Sequence, residues 1–142
     1  VLDIQQQEFG ANATLEGQAD LRDPGDFFRS RGGEIWVARV GDEIVGTVAI
    51  IDFGGRCGAL RKMFVRADKR GPRLGIADRL LDNLLDWARQ RNMTAIYLDT
   101  SDAFRAAHRF YEKQGFTPVE KKDLPADFPA MSGAAQFYRL LL

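Results

Sequence analysis

Between Ala59 and Gln114 the chain alternates an apolar strand, a turn, an amphipathic helix, a short apolar strand and a second helix. That alternation leaves few architectures open. Ile76, Ala77, Leu80, Leu81, Leu84, Leu85 and Ala88 recur every three or four residues and line one face of a helix predicted over Ile76 to Arg91. Asp78, Arg79, Asp82, Asn83, Asp86 and Arg89 hold the opposite face, and Asn92 suits the stop. A strand over Ala59 to Val65 precedes this helix and a short strand over Ala95 to Leu98 follows it. A strand–helix–strand unit of this length lays two parallel strands side by side through a right-handed crossover.

The flanking segments extend the pattern. Asp23-Pro24 starts a short helix that carries Phe27 and Phe28 and stops near Gly32-Gly33. Glu34 to Val40 and Glu43 to Phe53 are rich in β-formers and are joined by Gly41-Asp42, which predicts an antiparallel hairpin. A helix over Ala103 to Gln114, capped by Ser101 or Asp102, ends at Gly115. Phe116 to Val119 and Gln136 to Leu142 read as the last strands, with a proline-bearing loop over Asp123 to Pro129 between them. Val1 to Phe9 reads as a helix remnant and Asn12 to Pro24 as loop. The order predicts a mixed α/β (α+β) fold: a mostly antiparallel sheet with one parallel βαβ pair and helices on both faces.

Composition narrows the function classes. The chain has 142 residues, enough for one domain with its own core. Twenty basic and twenty acidic side chains leave no net charge, which disfavours non-specific binding to nucleic acid or to an anionic membrane. One cysteine and one histidine argue against a disulfide framework and a multi-ligand metal site. No apolar run reaches the length of a membrane span and no signal peptide is visible, so a cytoplasmic location is expected.

Charge is nonetheless unevenly placed. Arg56, Arg61, Lys62, Arg66, Lys69, Arg70 and Arg73 face only Asp68 within one short stretch. The stretch runs into Arg70-Gly71-Pro72-Arg73-Leu74-Gly75-Ile76-Ala77, at the start of the long helix. Helix N-termini present N–H groups without intrahelical acceptors, with roughly half a positive charge from the dipole. Glycines let the backbone approach a ligand closely. A strand, a basic glycine-bearing turn and a helix N-terminus form a cradle for phosphate or pyrophosphate. The spacing fits neither a P-loop nor a dinucleotide fingerprint.

These residues resemble the GNAT superfamily of N-acetyltransferases, and the resemblance runs from Ile35 to the end of the chain. Leu60 to Val65 is similar to the family's central strand, Arg70 to Ala77 to its pyrophosphate loop, and Leu80-Leu81 to the leucine pair of the following helix. Ala106 to Phe116, with its Phe110-Tyr111-Glu112-Lys113 core, resembles the closing helix and strand. The loop departs from the family pattern in either of two placements: with Arg70 first, Arg73 stands where glycine is usual; with Gly75-Ile76-Ala77 last, Pro72 stands where Arg or Gln is usual. The family's first strand has no counterpart in the sequence and is expected to be absent from this chain.

The resemblance implies a single acetyltransferase domain that moves acetyl from acetyl-CoA to a primary amine of a small molecule or peptide. It implies that Met63, Phe64 and Val65 lend backbone groups to the pantetheine arm. It implies that Arg70, Gly71, Pro72, Arg73, Leu74, Gly75, Ile76 and Ala77 hold the pyrophosphate. Tyr111 matches the tyrosine that protonates the departing thiolate. Neither metal nor nucleic acid is expected, and the C-terminal strand with its loop is a candidate homodimer contact. The central strand carries Arg61 and Lys62 where relatives often place a glutamate, so no general base is assigned. Asp99, Asp52 and Glu34 are the candidate substitutes for that base, each expected instead to be a surface carboxylate; His108 is expected to be a surface or half-buried helix residue and Trp87 a rim residue of the core. Cys57 is expected in a turn; the flanking Arg56 would lower its thiol pKa, yet a lone turn cysteine is not expected to act as a nucleophile. A non-catalytic acyl-CoA-binding module of the same fold is the alternative, kept open by the missing carboxylate.

Overall fold

The computed structural model describes residues 23–71, 73–102, 105–131 and 133–142. The predicted helix remnant at Val1 to Phe9, most of the loop before Pro24, Pro72, the first two residues of the predicted Ala103 helix and the question of an absent first strand lie outside the described residues.

The elements are α1 (Pro24–Arg29), β1 (Glu34–Val40), β2 (Glu43–Gly54), β3 (Cys57–Val65), α2 (Ile76–Gln90), β4 (Ala95–Thr100), α3 (Arg105–Lys113), β5 (Thr117–Val119) and β6 (Gln136–Leu141). Single 3-10 turns at Ala67–Lys69 and Lys121–Asp123 interrupt the two longer connections. The six described strands form one sheet in the order β1-β2-β3-β4-β6-β5. Only β3 and β4 run parallel, and α2 is the crossover between them. The predicted mixed sheet with one parallel pair is therefore the observed one.

Side chains alternate between two faces because successive strand residues point to opposite sides. Val48, Ile50, Leu60, Val65, Ile96, Leu98 and Tyr138 meet Leu80, Leu81, Leu84, Leu85 and Ala88 of α2 and Tyr111 of α3 in the larger cluster. Full burial of each such leucine contributes about 1.5–3 kcal/mol, so α2 is anchored by its stripe rather than by its cap. Gly75 at that cap offers no side-chain hydrogen bond. On the other face Ala59, Ala95, Tyr97 and Phe137 pack with Phe128 of the β5–β6 connection. Gly58 permits β3 to sit between its neighbours: a Cβ there would lie 2.5 Å from Ile50 Cδ1 and 3.1 Å from Ile96 Cδ1.

Three strands are longer than the sequence predicts, β2 by the single residue Gly54. β3 begins at Cys57, and β4 runs on to Thr100. Every residue of β4 is buried. A strand covered on both faces shows no alternation to mark where it stops, so the predicted strand ends short, at Leu98.

Trp87 is half-buried, packed edge-on against Trp36 at 5.9 Å, with the Arg91 guanidinium over its ring at 4.1 Å. No helix among the described residues is long and apolar enough to cross a membrane.

Candidate active site

The parallel strands are paired over three positions only: Cys57 with Ala95, Gly58 with Ile96 and Ala59 with Tyr97. Beyond Ala59 and Tyr97 the strands continue without pairing, β3 to Val65 and β4 to Thr100, and so form a wedge-shaped opening in the sheet. A β-bulge on β3 assists the divergence. Against β2 the register passes from Ala49–Arg61 to Thr47–Phe64, so three steps on β3 oppose two on β2. Lys62 takes φ +51° at this point, and the Thr47 hydroxyl donates to its carbonyl at 2.7 Å. Bulges bend a strand and increase its local twist. Lysine gives no sequence signal for one, since glycine is the residue usually associated with positive φ.

Met63, Phe64 and Val65 lie on the diverging part of β3. Arg70 Nε donates to the Val65 carbonyl at 2.7 Å, which draws the loop back onto the strand end. Gly71 has φ +107° with open space where a side chain would stand. Its carbonyl accepts the Gly75 N–H at 3.3 Å. Gly75 takes the left-handed conformation, φ +63°, directly before Ile76 opens α2. Arg73 and Leu74 are exposed, whereas Ile76 and Ala77 are half-buried against the core. Among the predicted loop residues only Pro72 lies outside the description. At the base of the loop Arg66 pairs with Asp68 at 2.6 Å and with Glu43 at 3.0 Å. The same pairing lowers the Asp68 carboxyl from its ordinary range. The Asp78 carboxylate in the first turn of α2 would oppose an anion there, yet Gln114 Nε2 holds it at 2.6 Å.

Tyr111, on α3, is buried in the larger cluster, 5.6 Å from the Phe116 ring and 6.1 Å from that of Tyr138. Burial first, then the charge of Asp99, pushes its phenol well above the ordinary tyrosine range. It is therefore protonated at neutral pH. His108 is half-buried on the same helix, its Nε2–H donating to the Ser101 carbonyl at 3.0 Å.

Three expectations are corrected. Asp99 is not a surface carboxylate: its side chain is fully buried, with Oδ1 2.9 Å from Arg61 Nη1 and Oδ2 accepting the Met131 N–H at 2.6 Å. Both oxygens are thus committed, and as a general base it is withdrawn. Glu34 is only partly exposed and accepts from Arg29 and from the Ile35 N–H. Cys57 opens β3 instead of sitting in a turn, and burial followed by the Asp52 charge raises its thiol pKa, the reverse of activation. Asp52 is exposed, as expected.

The Arg61–Asp99 pair is the feature that sequence reasoning missed. Each residue was noted singly, and the signal was present: a charged residue inside each of two apolar strands. Their partnership depends on the parallel register.

A mixed sheet that opens along its single parallel pair, beside a glycine-bearing turn at a helix N-terminus, defines the acyltransferase class with the GNAT fold. The chain belongs to that family: the model described as Acetyltransferase (GNAT) family matches residues 1–116. An uncharacterized N-acetyltransferase of Schizosaccharomyces pombe is 32% identical over 119 residues, covering 80% of this chain and 71% of the relative. The chain spans about half the length of other curated relatives. A GNAT-family acetyltransferase structure from Staphylococcus aureus Mu50 superimposes with a TM-score of 0.92 at 34% identity, over 99% of this chain and 87% of that one. A putative streptothricin acetyltransferase from Bacillus anthracis, solved with acetyl coenzyme A, shares the fold at 24% identity, with a TM-score of 0.63 over 78% of this chain and 62% of that one. The protein is an N-acetyltransferase of the GNAT superfamily, a class whose acetyl donor is acetyl-CoA.

Proposed function

We propose that the chain works as one acetyltransferase domain and passes acetyl from acetyl-CoA directly to a primary amine of a small molecule or peptide, both substrates being bound together. The observation that carries this reading is the opening between β3 and β4 beside the N-terminus of α2. In this reading backbone groups of Met63, Phe64 and Val65 take the pantetheine amides, and N–H groups of the 70–77 turn take the pyrophosphate, apart from Pro72, which has none, and Arg70 and Gly75, which donate to Ala67 and Gly71, with the Arg70 and Arg73 side chains adding charge. The amine nitrogen attacks the thioester carbonyl, the tetrahedral adduct collapses, and the C–S bond breaks. The thiolate takes the Tyr111 phenolic proton as its charge develops, the amine gives up its proton to solvent, and the phenolate takes a proton back from solvent, which restores Tyr111. Burial raises the phenol above its ordinary range, which keeps Tyr111 protonated until turnover and also makes it a weaker acid. Orientation of amine and thioester supplies most of the acceleration.

The test is calorimetric titration with acetyl-CoA at low and high salt, followed by an amine screen read by free-thiol release. One-to-one binding at micromolar affinity and thiol release with at least one amine are expected. Binding without release from any amine would favour a non-catalytic acyl-CoA module. No binding would overturn the proposed cradle.

A further inference from the structure

We infer that Arg61 and Asp99 are positioning residues for the acceptor side of the reaction: their buried pair fixes the 128–131 segment over the opening between β3 and β4. The inference rests on the proposed placement of acetyl-CoA in that opening.

The geometry is specific. Arg61 stands two residues past the last paired position of β3, and Asp99 two past that of β4. Their side chains meet on the face that carries Ala59, Ala95, Tyr97 and Phe128, opposite the face covered by α2. Arg61 is 5% exposed and Asp99 6%. Beyond its bond to Asp99, the guanidinium donates to the Leu60 carbonyl at 3.2 Å and to the Pro129 carbonyl, and it lies 5.4 Å from the Phe128 ring centroid. The second Asp99 oxygen holds the Met131 N–H. One guanidinium and one carboxylate therefore contact Phe128, Pro129 and Met131 from both walls of the opening.

A simple strand clamp would not need the loop contacts. Burying two charges costs several kcal/mol per ion unless the remaining donors and acceptors are satisfied. Here the remaining groups are satisfied in part by loop backbone, so the pair and the loop are arranged together. The pyrophosphate cradle lies at the start of α2, which covers one face. A thioester reaching through the opening would present its carbonyl toward the other face, where the 128–131 segment lies. An acceptor arriving there meets a wall whose position the pair sets.

The test compares three variants with the wild type by amide hydrogen exchange and by acetyl-CoA titration. Asp99→Asn keeps shape and can still accept from Arg61, but its amide nitrogen cannot accept the Met131 N–H. Arg61→Leu/Asp99→Leu removes the pair without leaving a lone buried charge. Arg61→Asp/Asp99→Arg restores an ion pair between the strands while presenting the wrong group to each loop contact. In every folded variant, exchange at residues 128–131 should quicken at least tenfold. Amides of β4 should stay protected and acetyl-CoA affinity should change less than twofold. Spermidine and tyramine serve as acceptor probes. With either one turned over by the wild type, the KM for amine should rise at least fivefold while that for acetyl-CoA holds.

Unchanged exchange at 128–131 in Asp99→Asn, or its recovery to wild-type values in the charge-swapped variant, would overturn the inference and leave a strand clamp. An unchanged amine KM beside quickened loop exchange would overturn the acceptor role. Should neither amine be turned over by the wild type, the broader functional reading loses support, and the exchange comparison still decides whether the pair positions the loop.

Discussion

Arg61 Nη1 lies 2.9 Å from Asp99 Oδ1, and the two residues occupy matching positions on the parallel strand pair of the described sheet, each two residues past its last paired position. The sheet opens at this point and is cross-linked there by charge. Buried pairs are weak evidence for stability, but breaking one by removing a single partner is costly. Four consequences of the structure can be measured.

Arg61→Met should destabilise the protein by about 3–5 kcal/mol, because it strands the buried Asp99 carboxylate. Arg61→Met/Asp99→Leu should recover most of that loss. Urea denaturation with unchanged m-values checks both, and a single variant within about 1 kcal/mol of wild type would contradict the burial described.

Tyr111→Phe should lower turnover about 100-fold, in the range for loss of a general acid, while acetyl-CoA affinity stays within about threefold. Stability supplies a second readout. The folded phenol titrates above its unfolded value of about 10, so the unfolded chain binds fewer protons once the pH passes about 10. The contribution is complete below that pH and declines above it. The wild type should therefore lose stability relative to Tyr111→Phe only above about pH 10, by up to about 1.4 kcal/mol per pH unit. Parallel curves from pH 9 to 11 would contradict the burial of this group.

Arg73→Ala should weaken acetyl-CoA binding about three- to tenfold at low ionic strength, since Arg73 is exposed beside the helix N-terminus. The effect should fade near 1 M salt, where the screening length is about 3 Å. Calorimetry at two salt concentrations reads the difference, and a salt-independent loss would indicate a structural role.

Gly33→Ala should cost about 3 kcal/mol or more without touching the site. A Cβ at this buried position would fall 1.7 Å from the Ile50 carbonyl oxygen and 3.1 Å from that of Phe28. Backbone atoms cannot turn aside as a side chain can, so the junction of α1 with β2 must shift. Thermal melting compared with Gly41→Ala, where a Cβ meets nothing within 4 Å but φ is +61°, separates steric from conformational cost.

Much of this was written locally. The leucine stripe of α2 marks its own helix and its buried face, because a period of 3.6 residues needs no distant partner to be recognised. The β1–β2 hairpin is announced by Gly41-Asp42, and the cradle by glycines placed before a helix start. The family pattern added the expectations for Tyr111 and the β3 backbone that the proposed function uses. Cys57 shows the limit: its flanking arginine alone would lower the thiol pKa, whereas burial and the more distant Asp52 raise it.

The sequence by itself determined the periodic elements, their order and the basic turn at the start of α2, since each depends on residues within a few positions of one another. Tertiary structure alone decided three things: where β3 and β4 stop pairing, that Lys62 would carry the bulge, and that Arg61 would meet Asp99 thirty-eight residues away. The reason is one of range. Register between parallel strands is set by how α2 packs across the sheet, and a buried charge becomes tolerable only once its partner and the loop carbonyl of Pro129 have been brought to it.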